Sequence, residues 1–296
     1  MTQPLKIATR GSELALWQAK LVASVLPVPS QIAVIETEGD RALDRSLVEI
    51  GGQGVFVKEI QQRVLHHQAA VAVHSGKDLP SMPVAGLRIA AWLPRADPRD
   101  VLVGRVLKDL PEGARVGTSS IRRAAQLLAL RPDVEIVSLR GNIRTRLDKG
   151  RGLDAVFVAA AALQRLDIKP PVAEVLSPDL MLPQVGQGAI AIECRADDED
   201  TLAMLKSIND VATEQAVLAE RSFLRVFGTG CSLPIGGLAE AAGAEFTLRA
   251  MVATHDGTRV LRGSARGGEP VELGVELAHS FVERGALRLL SGQDEE

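Results

Sequence analysis

The sequence predicts an α/β protein of two lobes crossed twice by the chain, followed by an α+β module. Three observations predict it. Through the first two thirds, strand-like segments alternate with helix-like ones, the pattern of a mostly parallel sheet. Two Pro/Gly-rich breaks, at Pro94 to Asp100 and Leu182 to Gly188, divide that region, and the alternation restarts after the first. The last third changes to a hairpin with flanking helices. A chain of 296 residues suits two or three domains at about 150 residues each. The boundaries that follow are 1–95 with 190–208 for an N-terminal lobe, 96–189 for a second lobe, and 209–296 for the C-terminal module. Two lobes crossed twice imply a cleft, and ligands of open sheets sit at the carboxyl ends of strands.

In order, Leu5 to Thr9 reads as a strand, and Ser12 can cap a helix carrying Leu16, Trp17, Lys20 and Leu21. Gln31 to Thr37 is a second strand. Gly39 to Gly54 is polar and Gly-rich, and Phe56 to His66 is helical, with Phe56, Ile60 and Val64 on one face. Ala70 to His74 is a short apolar strand that ends in the polar run His74-Ser-Gly-Lys-Asp-Leu-Pro80, and Leu87 to Leu93 is a fourth. After the first break, Arg115 to Gly117 is a strand. Ile121, Ala124, Ala125 and Leu128 mark a helix at i, i+3, i+4, i+7. Val134 to Ser138 is a strand, Ile143 to Asp148 a short helix, and Leu153 to Ala159 a buried strand. After the second break come a strand at Ala189 to Cys194 and a helix at Asp198 to Ile208. In the last third, Glu214 to Phe227 is a helix. Phe246 to Thr254 and Thr258 to Arg266 flank Asp256-Gly257, a strong hairpin signal, and Val275 to Leu290 is a final helix.

Composition excludes several classes. Apolar residues are 46% and charged residues 24%, with a net charge of −3, an ordinary globular balance. The longest apolar run, Ala155 to Leu163, is nine residues, and a membrane span needs about 20. The segment from Met1 to Lys20 has no apolar core of signal-peptide type. Cys194 and Cys231 are the only cysteines, so a disulfide framework is excluded and a reducing cytoplasm is expected. Two cysteines and five histidines also argue against a zinc site, and no metal is predicted.

Of the 34 basic residues, 26 are Arg and 8 are Lys. Part of that ratio is compositional drift, but Arg is also the side chain suited to bidentate recognition of carboxylate or phosphate. Between Arg115 and Arg151 the basic residues outnumber the acidic ones by six, in a chain that is −3 overall. Arg122 and Arg123 lie in the first turn of a helix whose start is Thr118-Ser119-Ser120, where cations oppose the macrodipole unless an anion is present. Arg140, Arg144 and Arg146 occupy a second strand-to-helix junction. Solvated surface arginine is the usual alternative for any one of them, and two parallel junctions favour the wall of an anion site. Nucleic acid fits less well, because the chain is acidic and aromatics are 3%.

Asp78, beside Lys77, follows an apolar strand and so emerges at a carboxyl end. An exposed ion pair is one reading, a carboxylate facing a reacting cation the other, and position favours the second. Cys194 lies in an apolar strand and reads as core. Cys231 lies in Gly228-Thr-Gly-Cys-Ser-Leu-Pro-Ile-Gly-Gly237; a loop thiol there acts as nucleophile or attachment point, or is there by chance. Gly51-Gly-Gln-Gly54 fits neither the Walker nor the dinucleotide pattern, and there is no Gly-x-Ser-x-Gly elbow.

Over nearly the whole chain these blocks resemble the hydroxymethylbilane synthase family, also called porphobilinogen deaminase. The likeness is carried by Ile7-Ala-Thr-Arg-Gly-Ser12 with Leu14-Ala-Leu-Trp-Gln18, Gly39-Asp40 with Leu43-Asp44, and Phe56-Val-Lys-Glu59. It continues through His74-Ser75, Lys77-Asp78, Asp97-Pro-Arg-Asp100, Gly117-Thr-Ser-Ser-Ile-Arg-Arg123 and Ser138-Leu-Arg-Gly-Asn142 with Thr145-Arg146. Gln184-Val-Gly-Gln-Gly188, Glu220-Arg221 and Cys231 with Pro234-Ile-Gly236 complete it.

The resemblance implies a transferase of tetrapyrrole biosynthesis, upstream of haem and related pigments. Such an enzyme condenses four porphobilinogen molecules head to tail, releases ammonia, and frees hydroxymethylbilane by hydrolysis. It implies three domains, two of them like periplasmic binding proteins. It implies a dipyrromethane cofactor on a thioether, which maps to Cys231, and a catalytic carboxylate, which maps to Asp78. Cofactor contacts map to Lys77, Thr118, Ser120, Arg122, Arg123, Arg140 and Arg146, and substrate contacts to Arg10, Ser12 and Arg165. A six-ring chain with two carboxylates per ring would account for the arginines. A monomer in the cytoplasm is expected, with no nucleic-acid or membrane partner. Three positions depart from the family pattern: Gln53 where Lys or Arg is common, Gly76 where Met is common, and Thr229 before the Gly-Cys pair. The rival reading is a two-lobed carboxylate-binding module without turnover, which would need neither Asp78 nor Cys231.

Overall fold

The structure is a computed structural model that describes residues 3–37, 57–228 and 233–292. Cys231, Gln53 and Thr229, and the Gly39–Gly54 stretch with Asp40 and Asp44, lie outside the described residues. Strands β1 (Leu5–Arg10), β2 (Ser30–Ile35), β3 (Val71–Ser75) and β4 (Leu87–Leu93) precede the first break. Strands β5 (Asp100–Val103), β6 (Arg115–Gly117), β7 (Glu135–Val137), β8 (Ala155–Ala159) and β9 (Ala173–Val175) lie between the breaks. Strand β10 (Ile190–Arg195) follows the second, and β11 (Ile235–Ala242), β12 (Glu245–Ala253) and β13 (Val260–Gly267) close the series.

The chain divides into two compact units, Met1–Ala96 with Gly188–Gln215, and Asp97–Gln187 with Ala216–Glu296. The first holds a five-stranded sheet in the order β2-β1-β3-β10-β4, with β1 parallel to β2 and β3 and β10 antiparallel to β3 and β4. The second holds one in the order β7-β6-β8-β5-β9, where β5 is the antiparallel member. Each sheet is thus mostly parallel, as the alternation of elements predicts. The strand that runs against the rest is, in each, the one that directly follows a break.

Local chemistry sets many helix starts. Ser12 Oγ accepts from Ala15 N at 3.3 Å and starts the helix Glu13–Val25. That helix buries Gln18, Ala19 and Val22, and Trp17 and Leu21 pack at the margin of the core with Ile7, Val71, Val73 and Ile192. The buried face is therefore turned by about one residue from the one that the apolar spacing predicts. Lys58–Leu65 packs Ile60 and Val64 on Ala8 and Ala72 of the same sheet. Asp198 Oδ1 accepts from Thr201 N and caps Glu199–Lys206.

Several elements differ from expectation. Strands β5, β9 and β11 are too short or too Gly/Ala-rich to show a pattern, and tertiary pairing creates them. The strand expected at Leu153 to Ala159 starts two residues later, at Ala155, and ends at Ala159 as expected, where the helix Ala160–Arg165 begins. The last helix is two, Pro270–Glu283 and Ala286–Ser291, divided by Gly285 at φ 87°, a left-handed conformation that glycine adopts without a Cβ penalty.

In the second unit the antiparallel sheet β11-β12-β13 packs against the helices Val211–Val226 and Pro270–Glu283. Four of the six phenylalanines lie in that core, where Phe223 is 5.2 Å from Phe227 and 5.3 Å from Phe281, ring centre to ring centre. Such pairs add about 0.5–1.5 kcal/mol each beyond their buried area. Asp256 Oδ1 accepts from Thr258 N, closing the expected hairpin turn. Its Gly257 sits against the backbone oxygen of Ala125, on the helix Ile121–Leu130.

Candidate active site

Each unit gathers candidate residues at the carboxyl edge of its sheet. In the first, β1 and β3 are parallel neighbours, with Ile7 beside Val71 and Ala8 beside Ala72. Their ends therefore emerge together. Arg10 ends β1, Ser12 caps the following helix, and β3 runs into the single 3-10 turn Gly76–Asp78 that carries Lys77 and Asp78. Arg10, Ser12, Gln18, His74, Ser75 and Asp78 line one pocket.

The pocket wall is held by side-chain bonds. Gln18 Nε2 donates to Ser75 Oγ at 2.9 Å, and Ser75 Oγ donates back to Gln18 Oε1 at 3.2 Å. Gly76 N donates to Ala189 O at 2.9 Å and pins the start of the turn. Beneath it, buried Glu193 on β10 accepts from Gln61 Nε2 at 2.8 Å, and His74 Nε2 lies 3.1 Å from the same oxygen. Asp78 and Lys77 stay half-buried, and Asp78 lines the pocket.

In the second unit β6 is parallel to both β7 and β8, so three strand-to-helix junctions share one edge. The first is Thr118 to Ser120, leading into Ile121–Leu130. Ser120 N donates to Thr118 Oγ1 at 3.1 Å, and Ser120 Oγ accepts from Arg123 N at 3.4 Å. The second is Ser138 to Asn142, where Asn142 Oδ1 accepts from Thr145 N at 2.9 Å and caps the helix Ile143–Lys149. Ser119 Oγ joins the two, 3.0 Å from Ser138 Oγ and donating to Leu139 O at 2.7 Å. The third carries Arg165 in the last turn of Ala160–Arg165. The edge thus brings together two capped helix starts and four hydroxyls, with Arg122, Arg123, Arg140 and Arg146 near them, an arrangement that attracts anions.

The arginines are not alike. Arg122 and Arg123 are only 4% and 5% exposed and share the buried carboxylate of Asp100. They do not stand open as an anion-site wall, contrary to the expectation from their place at a helix start. The segment Pro94–Asp100, which reads as a linker, supplies their counter-ion. Burial alone would raise the Asp100 carboxyl, but Arg122 and Arg123 more than reverse that and hold it far below the usual carboxylate range. Burial pulls Arg122 below its ordinary value, against the pull of Asp100. Arg165 is also buried, and desolvation lowers its guanidinium to about 10. Arg146 Nε donates to Gly141 O at 2.8 Å. Arg140 Nη1 and Arg122 Nε are buried N–H groups with no acceptor among the described residues. Buried donors are almost always paired in proteins, so this edge suits a ligand rich in carboxylate oxygens.

Four residues that carry the site's frame are absent from the sequence-based candidates. Asp100 and Gln187 hold the arginines, with Gln187 Nε2 donating to Asp100 Oδ1 at 2.8 Å and to Pro98 O at 2.7 Å. Glu193 holds His74. Glu220 accepts from Gly186 N at 2.7 Å and Ala239 N at 2.9 Å, tying the second break to β11. Each acts over a long sequence separation. Their only signal is a position inside ordered family-like blocks, and Glu193 lacks even that.

Comparison with known proteins places the chain. Two family models match it: "Porphobilinogen deaminase, dipyromethane cofactor binding domain" over residues 5–203, and "Porphobilinogen deaminase, C-terminal domain" over residues 214–283. The chain is similar to the porphobilinogen deaminase of Roseiflexus sp., 47% identical over 99% of this chain and 100% of that protein. It is 46% identical to that of Brevibacillus brevis, over 95% of this chain and 94% of that one. It is 46% identical to that of Halalkalibacterium halodurans, over 96% and 95%. A solved structure, the periplasmic VFT2 domain of Bordetella pertussis BvgS, matches 74% of this chain and 92% of that one, at 11% identity and a TM-score of 0.39. By the match of both family models and of near-full-length relatives, the chain belongs to the porphobilinogen deaminase family.

Proposed function

We propose that the protein is a hydroxymethylbilane synthase, a transferase of tetrapyrrole biosynthesis that joins four porphobilinogen molecules and releases the linear product by hydrolysis. The observation that carries this reading is the match of both family models, in order, to one chain. Each addition forms a carbon–carbon bond from the aminomethyl carbon of porphobilinogen to a terminal pyrrole carbon. Ammonia leaves, and the displaced ring proton passes to solvent.

A dipyrromethane, when bound, supplies the primer pyrrole and keeps the growing chain attached, and Cys231 would hold it through a thioether. Its carboxylates suit Thr118, Ser120, Arg122, Arg140 and Arg146, because donors converge on that edge and two buried N–H groups there want acceptors. Arg123 belongs to the same group, through its bond to Asp100. Lys77 adds a cation beside Asp78.

The first unit supplies the reacting carboxylate. Asp78 accepts the substrate's pyrrole N–H and balances the positive charge that develops as ammonia departs. A placed carboxylate of this kind contributes about 10²–10⁴-fold. Arg10 and Ser12, at the end of β1 in the same pocket, take substrate carboxylates, and Arg165 serves the same end in the second unit. Charge-assisted bonds of this type contribute about 1.5–3 kcal/mol each. Among the described residues no helix is long and apolar enough to cross a membrane. A monomer in the cytoplasm, without nucleic-acid partners, organised as three domains at 1–95 with 190–208, 96–189 and 209–296, is part of the same proposal.

Intact mass and peptide mapping of the purified chain test it. A dipyrromethane on the Cys231 peptide, absent from Cys231→Ser, is the expected result. A chain that stays bare after incubation with porphobilinogen overturns the synthase reading and favours a carboxylate-binding module.

A further inference from the structure

Asp100 is the first residue of β5, and its carboxylate is fully buried. Three N–H groups donate to one of its oxygens, and a second guanidinium lies against the other. Oδ1 accepts from Arg123 Nε at 3.0 Å, Arg123 Nη2 at 2.7 Å and Gln187 Nε2 at 2.8 Å. Oδ2 faces Arg122 Nη1 at 2.8 Å. The two arginines use this one charge differently. Arg123 has all three nitrogens engaged, because Nη1 donates to Phe157 O at 3.2 Å. Arg122 also donates through Nη1 to Leu182 O, while its buried Nε has no acceptor among the described residues. Two guanidiniums against one carboxylate leave a single net positive charge, and the open donor belongs to Arg122.

We propose that Asp100 is a positioning residue for carboxylate recognition at this edge: it acts through Arg122, holding the guanidinium whose buried Nε has no acceptor among the described residues, while Arg123 braces Asp100. The proposal rests on the synthase reading. The cost of removing Asp100 follows from the same geometry, since a buried charge that loses its partner is strongly unfavourable.

The unequal use of the two oxygens gives a selective variant. In Asp100→Asn the amide oxygen keeps the three donors at the Oδ1 position, and the NH2 group meets Arg122 Nη1, donor against donor. Arg122 loses its anchor and Arg123 keeps its own. A second variant, Asp100→Glu, keeps the buried charge and moves it by one methylene, so the charge count is unchanged while the anchor of Arg122 is displaced. Such an added methylene costs about 1–3 kcal/mol of stability.

Full-length apo-protein of each variant would be incubated with graded porphobilinogen, following dipyrromethane mass gain, with melting temperature measured alongside. Half-saturation for mass gain is expected to rise about tenfold in both variants, with the maximal rate within about threefold of the unsubstituted chain. A merely structural Asp100 would lower the melting temperature and leave half-saturation of the folded fraction unchanged, and that result overturns the proposal. If Asp100→Asn does not fold, Asp100→Glu decides by the same criterion. Failure of the synthase reading would appear in the unsubstituted chain, as no mass gain; failure of this inference appears only in the variants.

Discussion

His74 Nε2 lies 3.1 Å from Glu193 Oε2, and both side chains are buried in the first unit. His74 lines the pocket that holds Asp78, and Glu193 also accepts from Gln61 on the neighbouring helix. One carboxylate thus ties β10 to that helix beside the carboxyl end of β3. Glu193→Ala is expected to destabilise the protein by about 1–3 kcal/mol, because the Gln61 amide loses its buried acceptor. Urea denaturation of the variant beside the parent chain measures it, and an unchanged midpoint would remove Glu193 from the frame.

Asp78→Asn keeps the shape of the turn Gly76–Asp78 and removes its negative charge. Turnover is expected to fall at least about 100-fold, with the fold retained, since the side chain is half-buried and at the rim of the pocket. Steady-state assay of porphobilinogen consumption, with circular dichroism as the control, decides it. Activity within a few-fold of the parent would move the reacting carboxylate elsewhere.

Gly257 and Gly243 have nearly the same backbone, at φ 73° and 72°. A Cβ on Gly257 would meet the backbone oxygen of Ala125, whereas one on Gly243 would meet nothing within 4 Å. Gly243→Ala should therefore show only the left-handed penalty of about 1–2 kcal/mol. Gly257→Ala should lose more, because the hairpin must lift from the helix that carries Arg122. Equal melting temperatures for the two variants would show that the contact carries no energy.

Cys194 is buried on β10, and burial, helped by Asp198, raises its thiol to about 11. The thiolate is the reactive form, so iodoacetamide at pH 8 should leave Cys194 unmodified in the native protein and label it in denaturant. Peptide mapping reads this directly. Native labelling of Cys194 would contradict its place in the core.

Asp100 carries a depressed carboxyl in the folded protein, against an ordinary value of 3.8. For a depressed acid, the stabilisation is complete above the unfolded value and is lost as pH falls toward the folded one. The melting-temperature difference between the parent chain and Asp100→Asn should thus be constant from about pH 5 to 8 and shrink below about pH 4. A difference that varied across the neutral range would point to another titrating group.

The local steps of this fold are legible in the amino-acid sequence, because they are made of neighbouring atoms. Ser12 and Ser120 lie three residues from the backbone N–H groups they cap, and Asp256 closes its turn two residues away. The strands Leu87–Leu93 and Arg115–Gly117 fall where the apolar pattern puts them. The ordered blocks from Ile7 to Pro234 were enough to identify the family. Tertiary structure alone decided the rest. An arginine at a helix start has the same sequence whether it faces water or a buried carboxylate. That Arg122 and Arg123 are paired depends on Asp100, which is 23 residues from Arg123 in sequence and adjacent in space. Likewise β5 and β9 are strands only because β8 and β5 offer them partners. Hydrogen bonds within a few residues are set by local spacing, whereas the pairing of a buried charge is set by which strand the completed sheet brings beside it.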